Sequence, residues 1–161
     1  MKISSNTQLN RYIIMNNPKK FNNSLNIINL KKINKKGGYI LKLIDKNSLN
    51  FNKFGELYLT KNKYLSISAW KLHKKMTCNL FVIKGKFLFA IQDNKDKDRF
   101  NRFIISDQNN VVLNILPYTW FGFQGISNGE NILMNFSNLI HSDLEMKTKT
   151  LNYYNFNWKK K

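Results

Sequence analysis

Cysteine is almost absent from this chain of 161 residues. Cys78 is the only one, which excludes an internal disulfide and a cysteine-based metal site, and suits a reducing cytoplasm. Long apolar runs are also missing. Residues 1–10 hold no continuous apolar stretch, and no segment approaches the roughly 18 apolar residues that span a bilayer. The sequence therefore predicts a cytoplasmic protein with no leader and no membrane insertion.

Acidic residues and arginine are scarce as well. The chain carries 27 Lys plus Arg against 9 Asp plus Glu, a formal net charge of +18, yet its only arginines are Arg11, Arg99 and Arg102. Proteins that read base edges or clamp phosphates favour arginine. The lysines here are scattered through Asn- and Ile-rich sequence, so we expect no specific nucleic-acid partner. The positive field would still attract an anionic small molecule such as a nucleotide diphosphate.

Short strands dominate the pattern of the chain. Residues 1–36 are polar and read as an N-terminal arm with one or two short strands, and residues 37–161 read as a single barrel domain. Lys84-Gly85 predicts a tight hairpin between two of the strands, and residues 139–149 could hold a short C-terminal helix. The candidate strands lie about ten residues apart, at 39–44, 55–60, 64–70, 78–83, 86–91, 100–105, 111–116, 120–123 and 131–136. Many short strands without intervening helices predict an all-β barrel or sandwich.

His73 is the most informative candidate for chemistry. It follows the alternating strand at 64–70, where a barrel strand would place an ionisable residue at the open mouth, and a histidine there could serve as a general base. An exposed loop histidine is the alternative. His141, beside Ser142 and Asp143, reads as a solvated residue. Trp120 and Phe123, in the aromatic segment Pro117 to Gly125, could form a stacking surface or simply belong to the core.

Four segments taken in order resemble one family. They are Gly55-Glu56-Leu57-Tyr58, Ala69 to Leu80 (AWKLHKKMTCNL), Ile83-Lys84-Gly85-Lys86 and Pro117 to Gly125. Their order and spacing are similar to those of the dTDP-4-dehydrorhamnose 3,5-epimerases, cupin-type nucleotide-sugar epimerases and isomerases, of which this chain would be a divergent sub-branch. The resemblance covers residues 37–158.

The resemblance implies a homodimeric cupin, a double-stranded β-helix jelly roll with short N-terminal strands, to which Tyr12 to Met15 could contribute an edge strand. It implies a dTDP-4-keto-6-deoxyhexose substrate, His73 as the base that removes a proton next to the ketone, and neither metal nor cofactor. We expect the substrate to be contacted by the following residues: Trp70, Lys71, Lys75, Asn79, Trp120 and Asn135.

Four departures from the family pattern bear on catalysis. Trp70 replaces an arginine and Phe121 replaces a histidine. The family's tyrosine acid falls at about Met134, which cannot donate a proton. The aspartate that orients the base would follow Trp158, so the resemblance implies that His73 has no carboxylate partner.

Three functions remain open from the sequence. The first is an epimerase or isomerase of the dTDP-rhamnose pathway, in lipopolysaccharide or other surface polysaccharide biosynthesis. The second is a 3,4-ketoisomerase, although the first histidine of that family's His-x-His pair falls on Lys71. The third is a sugar-nucleotide-binding cupin without catalysis.

Overall fold

The computed structural model describes residues 19–21, 24–93 and 95–159 and contains two antiparallel sheets that pack face to face. The strands are β1 Lys19–Phe21, β2 Leu25–Asn29, β3 Lys31–Lys35, β4 Gly38–Lys42, β5 Glu56–Asn62, β6 Ile67–His73, β7 Cys78–Lys84, β8 Lys86–Gln92, β9 Phe100–Ser106, β10 Val111–Ile115, β11 Phe121–Gly125, β12 Asn131–Ser137 and β13 Met146–Thr148. The six-stranded sheet has the order β1-β2-β10-β7-β12-β5, and the five-stranded sheet has the order β13-β6-β11-β8-β9. A separate hairpin pairs β3 with β4.

The main core lies between the two sheets. Strand β8 illustrates how the sequence builds it: Phe87, Phe89 and Ile91 join the cluster between the sheets, whereas Leu88 and Ala90 pack on the opposite face. Successive side chains of a strand alternate between faces, so a strand that is buried on both sides becomes apolar throughout. The all-β prediction is confirmed, and each of the nine predicted strands overlaps an observed one.

The outer face of the five-stranded sheet is covered by the C-terminal segment. Trp70 is fully buried there against Tyr154, Phe156 and Trp158, with ring centroids 5.3 to 6.0 Å apart. Its indole Nε1 donates a hydrogen bond to the carbonyl of Leu151 at 3.0 Å. These four rings, the C-terminal aromatic cluster, anchor the end of the chain to the sheet.

The outer face of the six-stranded sheet carries a third, smaller cluster. Phe81, Val112 and Phe136 are buried in it, and Leu43 and Phe51, from the segment that follows the β3–β4 hairpin, pack on it. Among the described residues, no helix is long and apolar enough to cross a membrane.

The predicted hairpin at Lys84-Gly85 is wrong. Gly85 does have the positive φ, 82°, that its sequence context suggested. Strand β7, however, pairs with β10 and β12, whereas β8 pairs with β9 and β11. The turn therefore carries the chain from one sheet to the other.

The two ends of the chain also differ from the prediction. Segment 139–149 contains strand β13, which pairs with β6, and the short helix is a 3-10 turn at Leu151–Tyr153. Strand β2, within the predicted arm at 1–36, pairs with β10 and so belongs to the six-stranded sheet. The segment Tyr12 to Met15 lies outside the described residues.

Candidate functional site

Four strand ends form a rim at one end of the sandwich. Strand β6 ends at His73, β7 begins at Cys78, β12 ends at Ser137 and β5 begins at Glu56. Ser137 lies opposite both Glu56 and Cys78 in the strand register, so the three residues form a row across the sheet. We call this rim, defined by Glu56, His73, Cys78 and Ser137, the barrel mouth.

His73 is paired with a carboxylate. Its Nδ1 lies 2.7 Å from Oε2 of Glu145, and their side chains are only 7% and 11% exposed. The pairing of β13 with β6 places Met146 opposite His73 and so brings Glu145 beside the ring. The inference that His73 lacks a carboxylate partner is therefore wrong, because a glutamate from a different segment occupies that place.

Glu145 is itself held firmly. Its Oε1 accepts hydrogen bonds from the backbone N–H groups of Lys75, at 2.7 Å, and Met76, at 2.8 Å. Burial opposes ionisation, but the hydrogen bonds from Lys75, His73 and Met76 outweigh it and lower the pKa of Glu145. The ionised carboxylate accepts the Nδ1 proton of His73, which leaves Nε2 as the basic nitrogen. No described residue hydrogen-bonds Nε2, and the ring lies 6.1 Å from that of Phe121.

The facing sheet presents a second polar pair. Tyr58 on β5 lies opposite Asn135 on β12, and Asn135 lies opposite Leu80 of the main core, so all three share the inner face. The Nδ2 of Asn135 donates to the Tyr58 hydroxyl at 3.0 Å. Burial of the phenol raises the pKa of Tyr58, the hydrogen bond from Asn135 opposes this, and the charge of Glu56 adds to the rise.

Two buried polar atoms at this place have no hydrogen-bond partner in the part of the chain that the structure describes. Oδ1 of Asn135 and Oε1 of Glu56 are buried and accept no hydrogen bond from any described residue. A buried polar atom without a partner costs free energy, which a bound molecule with a suitable donor would recover. The inner face beside the mouth therefore has the features of a place that receives a polar ligand.

Positive charge at the mouth comes from Lys71, whereas Cys78 is neutral. Lys71 lies opposite Phe121 of the main core, so it occupies the inner face of β6 together with His73. Burial raises the pKa of Cys78 to about 12, although a hydrogen bond from Asn135 and the charge of Lys71 act in the opposite direction. The thiol stays protonated at neutral pH and is not an activated nucleophile.

The structure separates the sequence-predicted residues into two groups. His73, Lys71 and Asn135 face the interior at the mouth. Lys75 is exposed, and its backbone N–H binds Glu145. Trp70 and Trp120 lie in the cluster on the outer face of the five-stranded sheet.

Asn79 is also directed away from the mouth. Its Oδ1 accepts from Asn50 and Asn114 on the outer face of the six-stranded sheet, at 2.7 and 2.9 Å, and Asn114 accepts from Asn26 at 2.9 Å. We call these four residues the asparagine ladder.

Met134, the position assigned to the family tyrosine, packs in the cluster on the outer face of the six-stranded sheet. The neighbouring residue on β12 that faces inward is Asn135.

Sequence reasoning missed Glu145, Tyr58 and Glu56. The polar members of β5, Glu56, Tyr58 and Thr60, alternate with Leu57 and Leu59, and this period of two was the available signal. No comparable pattern marks Glu145.

Among residues 24–93 and 95–159, no three His, Cys, Asp or Glu side chains come close enough together to hold a metal ion.

Comparison with known proteins identifies the fold. No protein-family model and no curated protein matches the sequence. Solved structures do match. A dTDP sugar isomerase from Desulfovibrio desulfuricans G20 is 22% identical, with a TM-score of 0.76 over 83% of this chain and 90% of that one. The dTDP-4-dehydrorhamnose 3,5-epimerase of Elizabethkingia anophelis is 13% identical, with a TM-score of 0.76 over 89% and 86%.

A sugar 3,4-ketoisomerase from Thermoanaerobacterium thermosaccharolyticum, in complex with TDP, is 18% identical, with a TM-score of 0.67 over 81% of this chain and 90% of that one. The chain is thus a cupin-type jelly roll, as predicted. Its fold is that of the dTDP-4-dehydrorhamnose 3,5-epimerases and related sugar isomerases.

Proposed function

We propose that this chain is an epimerase or isomerase that binds a dTDP-4-keto-6-deoxyhexose at the barrel mouth, with His73 as the base. The observation that carries the proposal is the buried pair of His73 and Glu145, 2.7 Å apart, at the end of a barrel strand. A buried histidine whose Nδ1 is held by a carboxylate and whose Nε2 is hydrogen-bonded by no described residue is arranged to accept a proton from a bound molecule.

The reaction fits the groups at the mouth. A ketone acidifies the C–H bonds next to it, so Nε2 of His73 can remove such a proton and leave an enolate. Glu145 stabilises the imidazolium that forms. Lys71, on the same inner face of β6, supplies positive charge for the developing oxyanion. Return of a proton from the other face inverts the carbon.

The nucleotide part of the substrate is supported by charge and by the fold. The net charge of +18 favours an anionic ligand. Solved structures with this fold include an epimerase in complex with dTDP-4-keto-L-rhamnose and the ketoisomerase in complex with TDP. We place the reaction in the dTDP-rhamnose pathway of surface polysaccharide synthesis, such as lipopolysaccharide, in the cytoplasm.

A homodimer forms part of the proposal. In the described chain, β5 is an edge strand of the six-stranded sheet, and its outer face exposes Leu57 and Leu59, which are 53% and 62% accessible. Exposed apolar side chains on an edge strand suit contact with a second copy. Light scattering at tens of micromolar should give twice the monomer mass, and a monomer would contradict this part.

The test is proton exchange in D₂O with dTDP-4-keto-6-deoxyglucose, followed by NMR and mass spectrometry for deuterium at C3 and C5. The wild type should incorporate deuterium. His73→Asn should slow incorporation by about 10³-fold, because a positioned base contributes roughly 10² to 10⁴-fold. His141→Asn is the matched control, since His141 is exposed and weakly paired at 3.6 Å with Asp143, and it should leave the rate unchanged.

Three other outcomes are informative. A 3-keto product would identify a 3,4-ketoisomerase, for which Lys71 stands at the first position of the His-x-His pair and shares the inner face with His73. A rise in melting temperature with the dTDP-sugar but no exchange would indicate a binding protein without catalysis. Equal exchange in wild type and His73→Asn would contradict the role of His73.

A further inference from the structure

The geometry points to Tyr58 as the acid that returns a proton to the substrate carbon from the face opposite His73, with Asn135 as its positioning residue. This inference rests on the proposed function and adds the second half of the proton transfer. Met134, at the position of the family's tyrosine acid, cannot donate a proton and packs on the outer face of the six-stranded sheet.

The two sheets provide the required opposition. His73 ends β6 of the five-stranded sheet, and Tyr58 lies on β5 of the six-stranded sheet, on the face that turns towards the main core. Both lie at the same end of the sandwich, because β5 begins two residues before Tyr58 and β6 ends at His73. A base and an acid on facing walls are what inversion of a carbon centre needs, since the proton must leave one face and return to the other.

The hydrogen bonding of Tyr58 leaves its proton free. Asn135 donates its Nδ2 hydrogen to the phenolic oxygen at 3.0 Å, so the O–H hydrogen itself is not consumed by that contact. Asn135 lies opposite Tyr58 in the strand register, and Glu56 lies two residues before it on β5. The buried Oδ1 of Asn135 and the buried Oε1 of Glu56 have no described partner and could accept hydrogen bonds from sugar hydroxyls.

The environment of Tyr58 suits a proton donor. Burial raises the pKa of Tyr58, so the phenol remains protonated at neutral pH. The amide of Asn135 opposes this rise, which means that it stabilises the phenolate left behind after transfer.

The reaction moves one proton off the carbon and one back onto it. Nε2 of His73 takes the proton, the C–H electron pair becomes the C=C bond of the enolate, and the carbonyl π pair moves to the oxygen. The Tyr58 O–H proton then passes to the carbon as the ketone re-forms. The phenolate then gains a proton from water and His73 loses one to water. No oxidant, reductant or second substrate is required.

The experiment separates exchange from inversion. The protein is incubated with dTDP-4-keto-6-deoxyglucose in D₂O, and both deuterium incorporation and epimerised product are measured. In Tyr58→Phe, His73 can still remove the proton and return deuterium to the same face. Inversion should fall by about 10²-fold or more while exchange continues, so that the ratio of exchange to inversion rises. Asn135→Ala should raise the same ratio to a lesser degree.

Tyr64→Phe is the matched control, because Tyr64 is 44% exposed, close to the 42% of Tyr58, and lies in the turn between β5 and β6. It should leave both rates unchanged. An unchanged ratio in Tyr58→Phe, with a normal melting temperature, overturns the role of Tyr58 while the proposed function stands. Absence of exchange in the wild type overturns both.

Discussion

Two buried polar clusters lie on opposite faces of the same six-stranded sheet, and they differ in how their hydrogen bonds are used. In the asparagine ladder, Asn79 is 2% exposed, and its side-chain amide is fully engaged by Asn50, Asn114 and the backbone of Phe136. On the inner face, Asn135 is 3% exposed, yet its carbonyl has no described partner.

The difference distinguishes structure from function. A saturated network of neutral amides holds strands in register and has no capacity left for a ligand. An unsaturated one costs stability in the free protein and is expected where a bound molecule completes it. By this criterion the ladder stabilises β2, β7 and β10, whereas the inner face at Asn135 keeps a buried acceptor to which no described residue donates.

Truncation of the same residue type on each face tests whether the two clusters contribute differently to stability. Asn79→Ala leaves the donors of Asn50 and Asn114 without their acceptor, which should destabilise the protein by about 2–4 kcal/mol. For a domain of this size, that corresponds to a fall of roughly 5–15 °C in melting temperature. Calorimetry or urea unfolding would measure it.

Asn135→Ala is the matched variant. It removes the hydrogen bond to the Tyr58 hydroxyl, on an edge strand, and a carbonyl to which no described residue donates, so its cost should be smaller by at least about 1 kcal/mol. If the two variants were equally destabilised, the distinction between a saturated and an unsaturated cluster would not hold for this sheet.

The pairing of His73 with Glu145 can be tested through the rate of proton exchange. Glu145→Gln keeps the size of the side chain but places an amide where His73 needs an acceptor for its Nδ1 proton. The imidazole then loses the tautomer with a basic Nε2, and proton exchange should fall by roughly 10²-fold in a protein that still folds at neutral pH.

Glu130→Gln serves as the control for that variant. Glu130 is also a paired carboxylate, contacting Lys61 at 2.5 Å and Lys84 at 2.6 Å, but it lies on the surface. Its replacement should leave exchange unchanged. A similar loss in both variants would mean that charge at large, and not the tautomer of His73, determines the rate.

The sequence revealed the strands and the position of His73 at the end of one of them, because both follow local rules. Alternation and turn residues located β5 to β12, and the end of an alternating strand located His73. It could not assign Asn79 and Asn135 to opposite faces, because β7 and β12 pack apolar side chains on both sides and lose their alternation.

Glu145 could not be predicted for a different reason. It lies 72 residues from His73 in a polar loop, and only the pairing of β13 with β6 brings the two together. The hairpin error at Gly85 has a similar origin. The turn residue fixes the local backbone, but the partners of the flanking strands are decided by the packing of two sheets.

The smallest expected effect is a dependence of stability on pH at Glu145. Burial disfavours its ionised form, but hydrogen bonds from Lys75, His73 and Met76 outweigh this, so the pKa of Glu145 is lower in the folded protein than in the unfolded chain. A carboxyl with a lowered folded pKa contributes stability that is fully present above its unfolded pKa, near 4.3, and is lost as the pH falls through the folded value. The difference in free energy of unfolding between wild type and Glu145→Gln should therefore favour the wild type at pH 6 and shrink towards pH 3. Urea unfolding at both pH values measures it, and a difference that grew on acidification would show that Glu145 is not held as an ionised acceptor for His73.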